Sequence, residues 1–191
     1  MINKNEIEDI FSEQLVRISD EALRGKVADV WVTACSDGGW ESTDELKKIP
    51  FTLLTDTCGV DLIVHTIAVT EGALALARAQ EDAYSSMPYP VNINRLVAGG
   101  LLHDVGKLIE IETDGAGGYR KSPRGEKERH PETGANLARD AGLSEEIINT
   151  IAYHSREGEG KDQVVETVLI HQADFACFNP LVMLKDGRLL I

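Results

Sequence analysis

Apolar residues recur every three to four positions through most of the chain, which is the spacing that places them on one face of an α-helix. The segment EIEDIFSEQLVRI (6–18) is the first example, and DEALRGKVADVWVTAC (20–35) continues the pattern. A short helix from Thr43 to Lys48 is expected to end before Pro50, because the residue that precedes a proline disfavours the helical conformation. The N-terminal third is therefore predicted to be helical.

The same period continues through the rest of the chain. It predicts further helices at residues 60–80, 94–109, 130–142, 143–155 and 162–178. Pro131 at a first helical position, and Gly142 just past a last one, mark two of the boundaries. These segments together predict an all-α fold, a helical bundle formed by a single domain.

Two short segments depart from the helical pattern. The irregular stretch after residue 109 contains TDGAGG, which could form the turn of a small β-hairpin near 109–122. The C-terminal sequence LVMLKDGRLLI has an Asp-Gly pair and suggests a second hairpin near 181–191. The long loop 112–129 lies between two predicted helices, and loops of this length often bind ligands.

Charge and cysteine content narrow the function classes. The 191 residues carry a net charge of −13, which disfavours a nucleic acid polymer or an anionic membrane surface as a partner. No N-terminal signal and no apolar stretch of about 20 residues is evident, so a membrane span is not expected. Three widely spaced cysteines, Cys35, Cys58 and Cys177, predict free thiols in a reducing cytoplasm.

Histidines and acids carry the candidate chemistry. Each histidine lies in or at the edge of an apolar predicted helix: His65, His103, His130, His154 and His171. In LLHDVGKLIE (101–110), His103 adjoins Asp104 and Lys107 follows one turn later, so one helix would carry all three on adjoining faces. His171 and Asp174 are similarly three residues apart. Because buried polar groups are costly without partners, and bundles build metal sites from inward side chains, a metal centre is indicated.

The order of these motifs, H…HD…H…H…D, resembles the HD superfamily of metal-dependent phosphohydrolases. The motifs that carry the resemblance are IVHTIAV, LLHDVGK, HPETGANLA, IAYHS and LIHQADFA, from His65 to Asp174. The resemblance implies an HD-type domain that fills the chain. Its parts are an N-terminal helical extension, a metal-binding core and a tail, at residues 1–58, 59–178 and 179–191.

The resemblance also implies roles for individual residues. The ligands of a first metal ion would be His65, His103, Asp104 and Asp174, and His130 and His154 would complete a second site, with Asp104 bridging the two. Lys107 would contact the substrate or the metal-bound water. Two divalent ions, of manganese, iron, magnesium, nickel or cobalt, would generate a hydroxide near neutral pH, since a metal-bound water can have a pKa near ~7.

Other residues are weighed as further catalytic or binding groups. His171 is a candidate acid for the leaving group, although a supporting position behind Asp174 is equally compatible with the sequence. Basic residues lie in the loop before His130, and Arg124 is the best candidate there for binding an anionic substrate; Arg156 is a weaker one. We therefore expect Asp104, Lys107 and His171 to act in catalysis.

Several functions remain open at this point. The favoured one is hydrolysis of a small phosphorylated metabolite or nucleotide. The same metal chemistry could hydrolyse a carbon–carbon bond of a cyclic diketone, a di-iron site could activate oxygen, and a helical interaction module could keep the fold without catalysis. Ser155 stands where the cyclic-dinucleotide-degrading branch has a second histidine, so that branch is not indicated. The apolar N-terminal helices could pair two copies in a homodimer.

Overall fold

The computed structural model describes residues 1–191, and most of them are helical. The N-terminal part contains α1 (Lys4–Ile10), α2 (Ser12–Leu15), α3 (Glu21–Gly38) and α4 (Thr43–Leu46). The remainder contains α5 (Leu62–Ala83), α6 (Ile93–Leu102), α7 (Lys107–Glu110), α8 (His130–Asp140), α9 (Glu145–Tyr153) and α10 (Val165–Lys185). A 3₁₀ turn covers Arg156–Gly158, and a two-stranded antiparallel hairpin is formed by β1 (Ile111–Thr113) and β2 (Tyr119–Lys121). The predicted all-α class is confirmed.

Side-chain caps determine where several helices begin. Asp20, Ser42, Asp61 and Asn92 each accept a hydrogen bond from the backbone N–H three residues later, at the starts of α3, α4, α5 and α6. Such caps satisfy one of the amide groups that a helix N-terminus leaves without an intrahelical partner. The start of α5 matters most, because His65 lies in its first turn.

Apolar packing joins the N-terminal helices to the rest of the molecule. Trp31 of α3 is fully buried, and its indole N–H donates to the carbonyl of Leu101 at 2.9 Å. Trp40 likewise donates to the carbonyl of Leu108 at 2.7 Å. Both indoles therefore support the backbone on either side of His103 and Asp104. The division of the chain at residues 58 and 178 stays a prediction.

The two hairpin predictions have different outcomes. The hairpin near 109–122 is confirmed, with Ile111 paired to Lys121. The hairpin near 181–191 is wrong, because α10 continues through Pro180 to Lys185 and no strand follows. The Asp-Gly pair there ends a helix: Gly187 has φ of 65° and its N–H donates to the carbonyl of Leu184 at 3.1 Å, as at many helix C-termini.

The predicted helix over 94–109 is interrupted at the His-Asp pair. After α6 ends at Leu102, residues 103–106 form tight turns in which the N–H of Lys107 donates to the carbonyl of Asp104 at 2.9 Å. The cause is close packing: a Cβ on Gly106 would lie 2.1 Å from the carbonyl oxygen of His130. The chain at Gly106 thus lies directly against the start of α8.

Two helices are longer and more apolar than expected from the sequence, from which no membrane span is predicted. By length and composition, α5 and α10 could each cross a bilayer, with mean hydropathies of 1.4 and 1.2. Core helices of water-soluble proteins pass the same test, and α5 packs along both α6 and α10 with His65 buried between them. The two helices are therefore weak evidence for a membrane association.

Candidate metal centre

Six side chains from five parts of the fold converge in the interior. They are His65 of α5, His103 and Asp104 of the turn after α6, His130 at the start of α8, His154 just after α9, and Asp174 of α10. Five of them are buried and Asp174 is 14% exposed at its side chain. The structure therefore brings together all the ligands that the resemblance implies.

Asp104 lies at the centre of this convergence and uses its two oxygens on opposite sides. Its Oδ2 is 3.4 Å from the Nε2 atoms of both His65 and His103. Its Oδ1 is 3.2 Å from Nε2 of His130 and 3.5 Å from Nε2 of His154. We call His65, His103 and Asp104 the first ligand group, and Asp104, His130 and His154 the second ligand group. The two groups share a single carboxylate.

Asp174 extends the first ligand group. Its Oδ1 lies 3.1 Å from Nε2 of His65, on the same ring nitrogen that faces Asp104. Asp174 comes from α10 and His65 from α5, two helices that pack along each other, so this contact depends on their alignment. The first ligand group thus has a second carboxylate at its edge.

Four donor atoms of the two groups are buried without a hydrogen-bond partner, which fits a metal ion. Nδ1 of His103 contacts the carbonyl of Gly100 at 2.7 Å, and Nδ1 of His154 contacts that of Ile151 at 2.8 Å. A carbonyl can only accept, so Nδ1 carries the proton and Nε2 presents a lone pair. Nε2 of His65, His103 and His154 and Oδ1 of Asp104 are buried without a hydrogen-bond partner. Mixed imidazole and carboxylate donors of this kind suit divalent transition metals.

Electrostatics keep the two carboxylates available as ligands. Burial raises the pKa of Asp104, but the Lys107 ammonium outweighs it and holds that pKa well below its usual range. Burial likewise opposes ionisation of Asp174, yet the close approach of the His65 imidazole, 3.1 Å away, brings its pKa down to about 2. Burial lowers the pKa of His154, which favours the neutral imidazole that a metal requires.

Lys107 is placed beside the shared carboxylate. Its ammonium donates to Oδ2 of Asp104 and to the backbone carbonyl of Phe51, each at 2.5 Å. From the sequence, Lys107 is expected to contact the substrate or the metal-bound water. In the structure its nearest partners are groups of the protein itself. Phe51, which the sequence analysis did not identify, also lies flat on the ring of His65.

Glu110 is a second residue that the sequence analysis missed. Its Oε2 accepts from Nδ1 of His130 and from the His130 backbone N–H, both at 2.7 Å. Burial raises the pKa of Glu110, but these bonds to His130 outweigh it and lower the pKa to about 2. An acid flanked by the apolar residues Ile109 and Ile111 was the available signal.

The remaining predicted site residues lie outside both ligand groups. His171 contacts the carbonyl of His154 through Nδ1 at 2.6 Å and is only partly buried. Arg124 is exposed and its Nε lies 3.8 Å from Glu128. Arg156 is exposed at the start of the 3₁₀ turn. Their roles in catalysis and substrate binding stay predictions.

The chain matches the model of a protein family and is similar to several characterised proteins. The HD-domain family matches residues 62–175. Ribonuclease Y of Pseudothermotoga lettingae is 34% identical over 116 residues, which are 61% of this chain and 18% of that protein. Ribonuclease Y of Thermotoga maritima is 35% identical over 91 residues, which are 48% of this chain and 15% of that protein. Ribonuclease Y 2 of Levilactobacillus brevis is 28% identical over 130 residues, which are 68% of this chain and 20% of that protein.

The chain therefore spans about a fifth or less of the length of these relatives. No solved structure matches the chain. The matched region contains all six converging side chains, from His65 to Asp174.

These relatives correct one expectation. The net charge of −13 predicts that no nucleic acid polymer is a partner, and the finding that the matched relatives are ribonucleases makes this prediction wrong. The physical reason is that net charge sums over the whole surface, whereas nucleic acid binding needs only a local basic patch. The segment from Arg120 to Arg129, next to His130, carries five basic residues within an acidic chain.

Proposed function

The chain belongs to the HD-domain family, whose members are metal-dependent hydrolases, and we propose that it hydrolyses phosphate esters with two divalent ions. One observation carries this proposal: Asp104 directs its two oxygens to two separate sets of buried imidazoles. A carboxylate in this position suits a bridging ligand. His65, His103, Asp104 and Asp174 would hold one ion, and Asp104, His130 and His154 the other.

The protein groups around the ions have distinct tasks. When bound, two such ions supply Lewis acidity and a hydroxide nucleophile at neutral pH. The carbonyls of Gly100 and Ile151 fix the rings of His103 and His154, so that their Nε2 atoms face inward. Lys107 holds the shared carboxylate from the side and places a positive charge next to the centre, where an anionic phosphoryl group would be favoured.

The favoured substrate is a small phosphorylated metabolite or a nucleotide. Manganese, iron, magnesium, nickel and cobalt are all compatible with the donor set. The relatives favour a second substrate class, because all those described above are ribonucleases and an RNA phosphodiester presents the same reacting group. Basic residues of the loop before His130 would then bind the RNA backbone.

Hydrolysis assays with the full chain would test the proposal. The metal-free protein is supplied with each divalent ion and offered nucleoside monophosphates, 4-nitrophenyl phosphate, bis(4-nitrophenyl) phosphate and a short single-stranded RNA. We expect metal-dependent release of phosphate or of RNA fragments, and the product identifies the substrate class. D104N should abolish this activity. The matched control D29N changes a carboxylate on α3 that is 57% exposed, and it should leave the activity unchanged.

Three results would contradict the proposal. Absence of hydrolysis with every metal and phosphate ester is the first. Turnover of a cyclic diketone without phosphate chemistry would favour carbon–carbon hydrolysis, and oxygen consumption by the iron-loaded protein would favour an oxygenase.

A further inference from the structure

The ligand histidines differ in the group that faces Nδ1, the ring nitrogen that would not bind a metal ion. Nδ1 of His103 and Nδ1 of His154 each face a neutral backbone carbonyl. Nδ1 of His130 instead faces the carboxylate of Glu110, at 2.7 Å. A carboxylate that accepts this proton makes the imidazole a stronger electron donor than a carbonyl does. One of the two ligand groups thus contains an electronically distinct ligand.

Glu110 is also fixed more firmly than an ordinary surface acid. It is 8% exposed, and its Oε2 accepts from both the ring and the backbone N–H of His130. The backbone carbonyl of Glu110 accepts from the N–H of Ser122 at 2.9 Å, which ties it to the strand end after β2. Lys121 lies 3.6 Å and Arg129 3.9 Å from its other oxygen, Oε1. The carboxylate therefore has a defined position and a defined charge environment.

We propose that Glu110 is a positioning residue. The second ligand group needs the Glu110 carboxylate to bind its ion at full affinity, and the first ligand group binds its ion without it. The proposal rests on the two-ion function above. Glu110 would orient the ring of His130, keep the proton on Nδ1 and strengthen Nε2 as a donor. Partners of this kind typically contribute about 10- to 100-fold to metal affinity.

A calorimetric titration of the metal-free full chain with Mn²⁺ would test this role of Glu110. Wild-type protein should bind two ions. E110Q keeps the shape of the side chain and can still accept from His130, but it loses the charge, so the affinity for one ion should fall about 10-fold. E110A should lower it about 100-fold. In both variants the affinity for the other ion should stay within about twofold of wild type, since no contact of Glu110 reaches the first ligand group.

A matched control separates this effect from a general loss of charge near the site. Glu112 lies two residues after Glu110, in β1, and pairs with Arg120 at 2.9 Å, without a contact to His130. E112Q should bind both ions as the wild type does. Two results would overturn the proposal: an equal loss of affinity for both ions in E110Q, or no loss of affinity for either ion. A wild-type chain that takes up no Mn²⁺ would contradict the two-ion function itself and this inference with it.

A spectroscopic measurement tests the same proposal without a substitution. Imidazole ¹⁵N chemical shifts of metal-free wild-type protein should show His130 with a protonated Nδ1. A ring protonated at Nε2 alone would overturn the proposal, because Glu110 could not then accept from Nδ1. This readout reports the protonation state of the His130 ring directly, and it does not depend on whether Glu110 stabilises the fold.

Discussion

The ring of Phe51 lies flat on the imidazole of His65, with centroids 4.0 Å apart and planes 14° apart. The same residue offers its backbone carbonyl to the ammonium of Lys107. Phe51 comes before α5, in the part of the chain that the sequence analysis assigns to an N-terminal extension. That part therefore contributes a wall of the metal centre and supports two of its residues.

Removing this wall should weaken both the fold and the first ligand group. Phe51 is 1% exposed, so F51A should lower the free energy of unfolding by about 3–5 kcal/mol and also reduce the affinity for one Mn²⁺ ion. F11A is the matched control, because Phe11 is equally buried but packs on Trp31. F11A should cost similar stability with both ion affinities retained. Urea unfolding in EDTA and calorimetric titration measure the two effects, and equal ion binding by F51A and wild type would contradict this role.

The helices that carry three of the six candidate ligands could be predicted from the sequence. Apolar periodicity predicts α5, α8 and α10, and Pro131 marks the start of α8, because these signals depend only on residues close in the chain. The order of the histidine and aspartate motifs then indicates the six side chains that converge in the structure. The hairpin at β1 and β2 follows in the same way from local turn residues.

Contacts between distant residues explain what the sequence did not reveal. The helix expected at 94–109 is interrupted because Gly106 packs against His130, and no local signal reports that approach. Phe51 and Glu110 belong to the site through partners that are distant in the sequence, His65 and His130. The net charge gave a wrong prediction about nucleic acid for a similar reason, because it averages over the whole surface whereas the basic residues are clustered.

His171 should act on its neighbour His154 rather than on the leaving group. Its Nδ1 is engaged with the carbonyl of His154 at 2.6 Å, and an asparagine amide could replace that donor. We expect H171N to change kcat for a nucleoside monophosphate and for 4-nitrophenyl phosphate by the same factor, less than about 10-fold. A leaving-group acid would contribute about 10²–10⁴-fold, and mainly to the nucleotide, whose alkoxide leaving group needs a proton. A selective loss on the nucleotide would therefore establish His171 as the acid.

Metal ions should stabilise the fold, because four buried donor atoms of the two ligand groups, Nε2 of His65, His103 and His154 and Oδ1 of Asp104, have no hydrogen-bond partner. An ion that binds only the folded chain adds about 2.7 kcal/mol when its free concentration is 100 times its Kd. Urea unfolding of wild-type protein should therefore shift to higher denaturant with Mn²⁺ and return with EDTA. D104N, which removes the shared charge, should show little shift. An equal Mn²⁺ effect on D104N and wild type would mean that the ions bind elsewhere.

Gly106 should tolerate no side chain, because it sets the distance between the His-Asp turn and α8. A Cβ at this position would lie 2.1 Å from the carbonyl oxygen of His130 and 2.8 Å from the backbone nitrogen of Gly134, and neither backbone atom can move alone. G106A should therefore cost about 3 kcal/mol or more of unfolding free energy, at the upper end for overpacking.

The matched control for G106A is G25A, within α3, where the new Cβ would meet only the flexible end of Lys4 at 3.3 Å. Alanine is the better helix former there, so G25A should stabilise the fold by about 0.5–1 kcal/mol. Urea unfolding in EDTA compares the two variants without a contribution from metal. Because His130 begins α8, a displaced helix in G106A should also lower the affinity of the second ligand group for its ion. Wild-type stability in G106A would show that the turn and α8 are not in contact at this point.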